Sequence, residues 1–215
     1  AIELHKAIIK RHPSYVNCYL RLACIARDCG SLQDCSQWLQ SAFKVDPGNP
    51  EVRTLVGNLH LSLCDWAPAQ TIFDNLLQTK DPNVEAYSQL SMGNIYFSNL
   101  TTPGKFSKHL KHAADFFSRI LNKDRGNFYA ANGLGTVLAE KAELSKAREV
   151  FNRVREVSED SIPDSLLNLG HIYLAQKQHP QALKMYQTYM SRTSKLGSGK
   201  SENNREDAEV LLYIS

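Results

Sequence analysis

The sequence predicts an all-α chain, a right-handed solenoid of antiparallel helix pairs, and three observations lead there. A small residue is followed four positions later by leucine or an aromatic at Cys35/Leu39, Ala69/Phe73, Ala113/Phe117, Ala147/Phe151 and Ala182/Tyr186, at intervals of 34, 44, 34 and 35 residues. A second small residue, Ala23, Gly57, Gly135 or Gly170, lies twelve positions before four of these, with Gly93 displaced in the third unit. Turn-forming stretches, "DPGNP" at 46–50, "KDPN" at 80–83 and "KDRGN" at 123–127, punctuate the recurrence. Two helices close tightly where small residues let their backbones cross and bulky neighbours fill the flanks. Tyr19 and Leu22, Leu134 and Leu138, then Leu169 and Tyr173 supply that bulk at helical spacing.

Residues 1–13 read as the second helix of a truncated repeat, with Ala1 in the small position and Pro13 in the terminating turn. Five full repeats follow at about 16–49, 50–84, 86–127, 128–161 and 163–196. Pro68 and Pro180 fall in the first turn of second helices, where a missing N–H costs little. The third repeat departs from the period through "FSNLTTPGKFSKHLKH", which predicts a longer loop between its two helices. "GSGKS" at 197–201 looks like part of a phosphate-binding loop. Position 194 is serine where such a loop needs glycine, and a helical pattern rather than a strand leads in. Residues 197–204 therefore read as a flexible linker, and "REDAEVLLYIS" at 205–215 as the start of a further repeat.

This pattern resembles the tetratricopeptide repeat, a helix–turn–helix unit whose small and aromatic positions match those above over nearly the whole chain. The composition agrees with a soluble helical protein: 42% of the 215 residues are hydrophobic, and no apolar run is long enough to span a bilayer. The formal charge of +3 does not by itself call for nucleic acid. Five cysteines without any C-x-x-C pair point to packing thiols in a reducing compartment rather than to a metal site. His109, His112 and Asp115 stand at three-residue steps, but Lys105, Lys108 and Lys111 beside them oppose a cation. No nucleophile with a base and no cofactor loop after a strand is present, so neither an enzyme nor a cofactor is expected.

In a stacked array the first helices line a concave groove. The candidate groove residues are Leu20, Asn58, Leu61, Tyr87, Leu90, Asn94, Phe97, Tyr129, Leu167, His171 and Leu174. Apolar contacts there would supply affinity, and asparagine amides, donor and acceptor at once, would satisfy an extended partner backbone. A second candidate surface is basic: between Lys105 and Arg125 six lysines and arginines, Lys105, Lys108 and Lys111 among them, face only Asp115 and Asp124. No aromatic stacking series accompanies it, so direct nucleic-acid binding is not the expected role.

The stretches "YVNCYLRLACIARDCG", "VGNLHLSLCDWAPAQTIFDNLL", "FYAANGLGTVLAEKAELSKAREVFNRVRE" and "LLNLGHIYLAQKQHPQALKMYQ" resemble the family of large tetratricopeptide scaffold subunits of the RNA polymerase II-associated factor complex. The resemblance implies a nuclear, non-enzymatic scaffold without a membrane partner. Its partners would be other protein subunits of the elongation complex, its contact with RNA polymerase II indirect, and its role in transcription elongation and co-transcriptional histone modification. The alternative is a cytoplasmic, cochaperone-like peptide-binding module. The groove positions that would clamp a carboxylate in such a module hold Leu20, Cys24, Leu55, Tyr87 and Ser91 instead.

Overall fold

The computed structural model describes residues 1–79, 81–158 and 162–196. Among the described residues every regular element is a helix. In chain order they are α1 (Ile2–Arg11), α2 (Val16–Asp28), α3 (Leu32–Val45), α4 (Pro50–Ser62), α5 (Trp66–Leu76), α6 (Pro82–Ser98), α7 (Phe106–Lys123), α8 (Phe128–Glu140), α9 (Leu144–Val157), α10 (Pro163–Ala175) and α11 (His179–Leu196). The chain divides into two compact units, Ala1–Ser98 with α1 to α6 and Asn99–Ser215 with the rest. The GSGKS stretch, residues 205–215 and Lys80 of the KDPN turn lie outside the described residues.

In the first unit α2 packs on α3 and α4 on α5, while α3 meets α4 and α5 meets α6. In the second, α8 pairs with α9 and α10 with α11, with α7 against α8 and α9 against α10. The pairing follows from the spaced small residues. A methyl group on Gly57 would stand 2.7 Å from Phe73 Cζ, and one on Gly135 would stand 2.6 Å from Phe151 Cε1. Each ring thus occupies the space that a side chain would need, and the pocket around it consists of further apolar residues. Around the first crossing these are Tyr19, Ala23, Cys35, Leu39, Ala42, Val52 and Leu59. Around a later one Ala147 and Phe151 meet Leu169 and Ile172 of the following helix.

The repeat boundaries share one local chemistry. Asp46 Oδ1 accepts from Gly48 N at 3.2 Å, and Asp124 Oδ1 from Gly126 N at 2.9 Å, so Arg125 in place of Pro47 leaves the turn intact. Asn49 then caps α4 by accepting from Glu51 N and Val52 N, and Asn127 caps α8 by accepting from Ala130 N.

Two expectations are modified. The insertion in the third repeat lengthens the loop, now 99–105 against 29–31 or 63–65, and it also extends the helices to 17 residues in α6 and 18 in α7. Of the five thiols, Cys18 and Cys35 are buried packing groups, whereas Cys29 and Cys64 are exposed in turns.

Candidate functional site: the first-helix groove

In the first unit, α2, α4 and α6 are the first helices of successive pairs. Together with α1 they border a cleft of about 820 Å³ lined by Ile8, Leu20, Arg21, Thr54, Leu55 and Tyr87, among others. Tyr87 is its most prominent feature. The side chain is 42% exposed, yet its hydroxyl donates to Asn58 Oδ1 at 2.9 Å and its ring lies 6.3 Å from that of buried Phe73. The bond joins α6 to α4 and orders both side chains. Leu20 belongs mainly to the core at 6% exposure, with one edge on the cleft. Leu61, Leu90 and Phe97 are half-buried, and Asn94 is exposed on α6.

The second unit repeats the theme on α8 and α10. Asn168 Nδ2 donates to Asn132 Oδ1 at 3.3 Å, linking the two first helices. Tyr129 is 59% exposed at the start of α8, its ring 5.0 Å from that of Phe128. Leu167 and Leu174 rest against the buried cluster of Leu166, Ala182, Tyr186 and Tyr189. His171 Nδ1 lies 3.0 Å from the Tyr186 hydroxyl, with the rings edge to face at 5.5 Å, which holds the imidazole in one orientation. His171 is thereby tied to the core as well as to the groove face.

Lys105, Lys108 and Lys111 are exposed around the start of α7. His109 and His112 beside them are half-buried rather than solvated, and His109 Nδ1 donates to the Asn99 carbonyl at 2.8 Å, pinning the start of the 99–105 loop. Sequence reasoning misses His5, Ile8, Tyr15, Glu51 and Thr54 at the cleft, and the Asn132–Asn168 link. For α1 the reason is simple: it reads as a second helix, and the repeat pattern places groove positions on first helices. For the asparagines a signal exists, since Asn132 and Asn168 stand 36 residues apart, close to the repeat length.

No protein-family model matches the chain. It is 36% identical over 201 residues, 91% of its length, to the RNA polymerase-associated protein CTR9 of Caenorhabditis elegans. It is 32% identical over 224 residues, its whole length, to the CTR9 homolog of Arabidopsis thaliana. These alignments cover 17% and 20% of the two proteins, so the chain spans about a fifth of the curated relatives it matches. Among solved structures, a tetratricopeptide-repeat protein of Thermus thermophilus superposes with a TM-score of 0.75 at 18% identity, over 92% of this chain and 99% of that one. The chain has the fold of a tetratricopeptide-repeat solenoid, and the resemblance read from its sequence holds: the curated proteins it is similar to are CTR9 proteins, one of them named as RNA polymerase-associated.

Proposed function

We propose that the chain is a non-enzymatic protein–protein interaction scaffold, a segment of the large subunit of the RNA polymerase II-associated factor complex. In that role it acts in the nucleus, in transcription elongation and co-transcriptional histone modification, and its partners are other protein subunits of the complex. The observation that carries the reading is the 36% identity along nearly the whole chain to a protein named as RNA polymerase-associated. The groove supports the same conclusion through its chemistry. In the first unit Tyr87, Leu90 and Phe97 offer apolar surface, and the amides of Asn58 and Asn94 offer hydrogen bonds to a partner backbone; in the second unit Tyr129 offers apolar surface on its own first helix.

The test compares two sets of substitutions in the full-length protein, read by co-purification of the complex from nuclear extract. Phe97→Ala, Leu174→Ala and Tyr129→Ala should each weaken retention of a partner subunit, since loss of one anchor typically costs about 1–3 kcal/mol. Leu174 also packs on the core, so exposed Tyr129 separates a binding loss from a folding loss. Lys108→Glu with Lys111→Glu should leave retention unchanged. The opposite result places the interface on the basic start of α7. Recovery with cytoplasmic chaperones instead of polymerase-associated subunits refutes the nuclear reading.

A further inference from the structure

The second unit carries another open surface, bordered by the second helices α7 and α9 with the first helix α8 as its floor. Helices α7 and α9 both pack on α8 without packing closely on each other. The trough they leave has a volume of about 970 Å³. Phe128, Ala131 and Leu134 of α8 lie along it, with Leu121 of α7 on one side and Val150 and Val157 of α9 on the other. Val157 is 54% exposed although it is an apolar residue beside an apolar floor.

Charge decides what fits there. Glu149, Arg153 and Glu156 line the same trough and are exposed, and none of them forms an ion pair among the described residues. Glu149 and Arg153 stand four apart on α9, the spacing at which a helix lets such residues pair with each other. Arg148 is already committed, donating to Gln176 Oε1 at 3.1 Å. Along α9 the exposed charged groups form an acidic–basic–acidic row at steps of four and three residues, the pitch of one helix face, and exposed Arg125 lies at the same trough between α7 and α8. Along α9 a phosphate backbone would meet Arg153 between two carboxylates, which counts against a polyanion on that helix face. A second helix laid along α9 meets the row at matching intervals if it carries the opposite order of charges.

The geometry points to a docking site for an amphipathic helix of another protein, with an apolar stripe toward Leu121, Phe128, Leu134 and Val157 and a basic–acidic–basic row facing Glu149, Arg153 and Glu156. Apolar burial supplies the affinity, and the charge order sets direction and partner choice. This surface is separate from the first-helix groove and does not depend on what the groove binds.

Two labelled synthetic helical peptides with the same leucine stripe test it, one carrying Lys–Glu–Lys at i, i+4 and i+7 and the other Glu–Lys–Glu. Their binding to the 215-residue chain is followed by fluorescence anisotropy. The Lys–Glu–Lys peptide should bind about tenfold more tightly or better. The combined exchange Glu149→Lys, Arg153→Glu and Glu156→Lys should reverse the preference, with circular dichroism checking that helix content is kept. Val157→Asp, at an exposed position, should weaken the preferred peptide, while Tyr87→Ala in the groove should not. Equal affinity for the two peptides, or an unchanged preference after the triple exchange, overturns the proposal. So does tighter binding of single-stranded RNA that is lost in Arg153→Glu, which would make the trough a nucleic-acid site.

Discussion

At Gly135 an added Cβ would stand 2.6 Å from one carbon of the Phe151 ring and 2.9 Å from another, and Phe151 is 1% exposed. Helix propensity alone favours alanine over glycine by about 1 kcal/mol, so the two effects oppose each other. Overpacking a buried site costs about 1–3 kcal/mol and should win. Gly135→Ala is therefore expected to lower the melting temperature, while Gly48→Ala, where the added carbon would meet Asp46 Oδ1 no closer than 3.5 Å, should leave it nearly unchanged. A rise for Gly135→Ala would mean the ring yields. Spacing alone reveals the Gly57–Phe73, Gly135–Phe151 and Gly170–Tyr186 contacts, because each pair lies within one hairpin. The Phe117 ring instead lies against Gly133 of the following helix, where an added carbon would come within 2.5 Å. Position within a repeat does not predict this, since an aromatic on a second helix faces both its own first helix and the next. The same ambiguity blurs the groove. Leu20 and Leu167 both stand three residues before the small residue of a first helix, yet one is buried at 6% exposure and the other half-buried. The depth of each depends on its neighbours' bulk, which periodicity does not encode.

At the scale of the elements, the turns within repeats are the least legible feature and the most repetitive one. Gly30, Cys64, Ala142 and Lys177 all take positive φ, between 57° and 78°, at equivalent points after first helices. In each case the next residue's N–H reaches back to a carbonyl five residues earlier: Ser31 to Ala26, Asp65 to His60, Glu143 to Leu138 and Gln178 to Tyr173. Glycine marks only the first, so composition does not reveal a shared left-handed stop. The backbone bonds impose it on cysteine, alanine and lysine at a cost of about 1–2 kcal/mol each. Ala142→Gly removes that strain and adds some unfolded-state entropy, for a net gain of about 0.5–1 kcal/mol. Gly30→Ala should lose a similar amount, although nothing lies within 4 Å of the added carbon. Urea midpoints that move in opposite directions for the two variants would bear this out. Helix α7 offers a further check. Its N-cap is Lys105, without a side-chain hydrogen bond, and its first turn has no acidic residue. Lys105→Asp should stabilise the chain by about 0.5–1 kcal/mol through capping and the helix dipole. No change in the urea midpoint would show that the end of the 99–105 loop already satisfies those amides.

Across the whole molecule, a chain of hairpins that each touch only their neighbours should transmit damage over short distances, unlike a single globular core. The contacts have that character: α10 packs on α11 and on α9, and the cluster of Ala147, Phe151, Leu169 and Ile172 joins one pair to the next. A substitution at Gly170 would press on Tyr186, which is buried and bonded through its hydroxyl to His171. Gly170→Ala should therefore loosen α10 and α11 first and α9 next, through the shared cluster. Amide hydrogen exchange resolves this by segment. Exchange should accelerate most in α10 and α11, less in α8 and α9, and not measurably in α2 and α3. In the mirror experiment, Gly57→Ala should act on α4 and α5, then on α3 and α6, leaving α10 and α11 unchanged. Equal acceleration of all helices in either variant would mean that the array unfolds as one cooperative body. A localised response would instead let the first-helix cleft in residues 1–98 and the trough on α8 and α9 be altered independently.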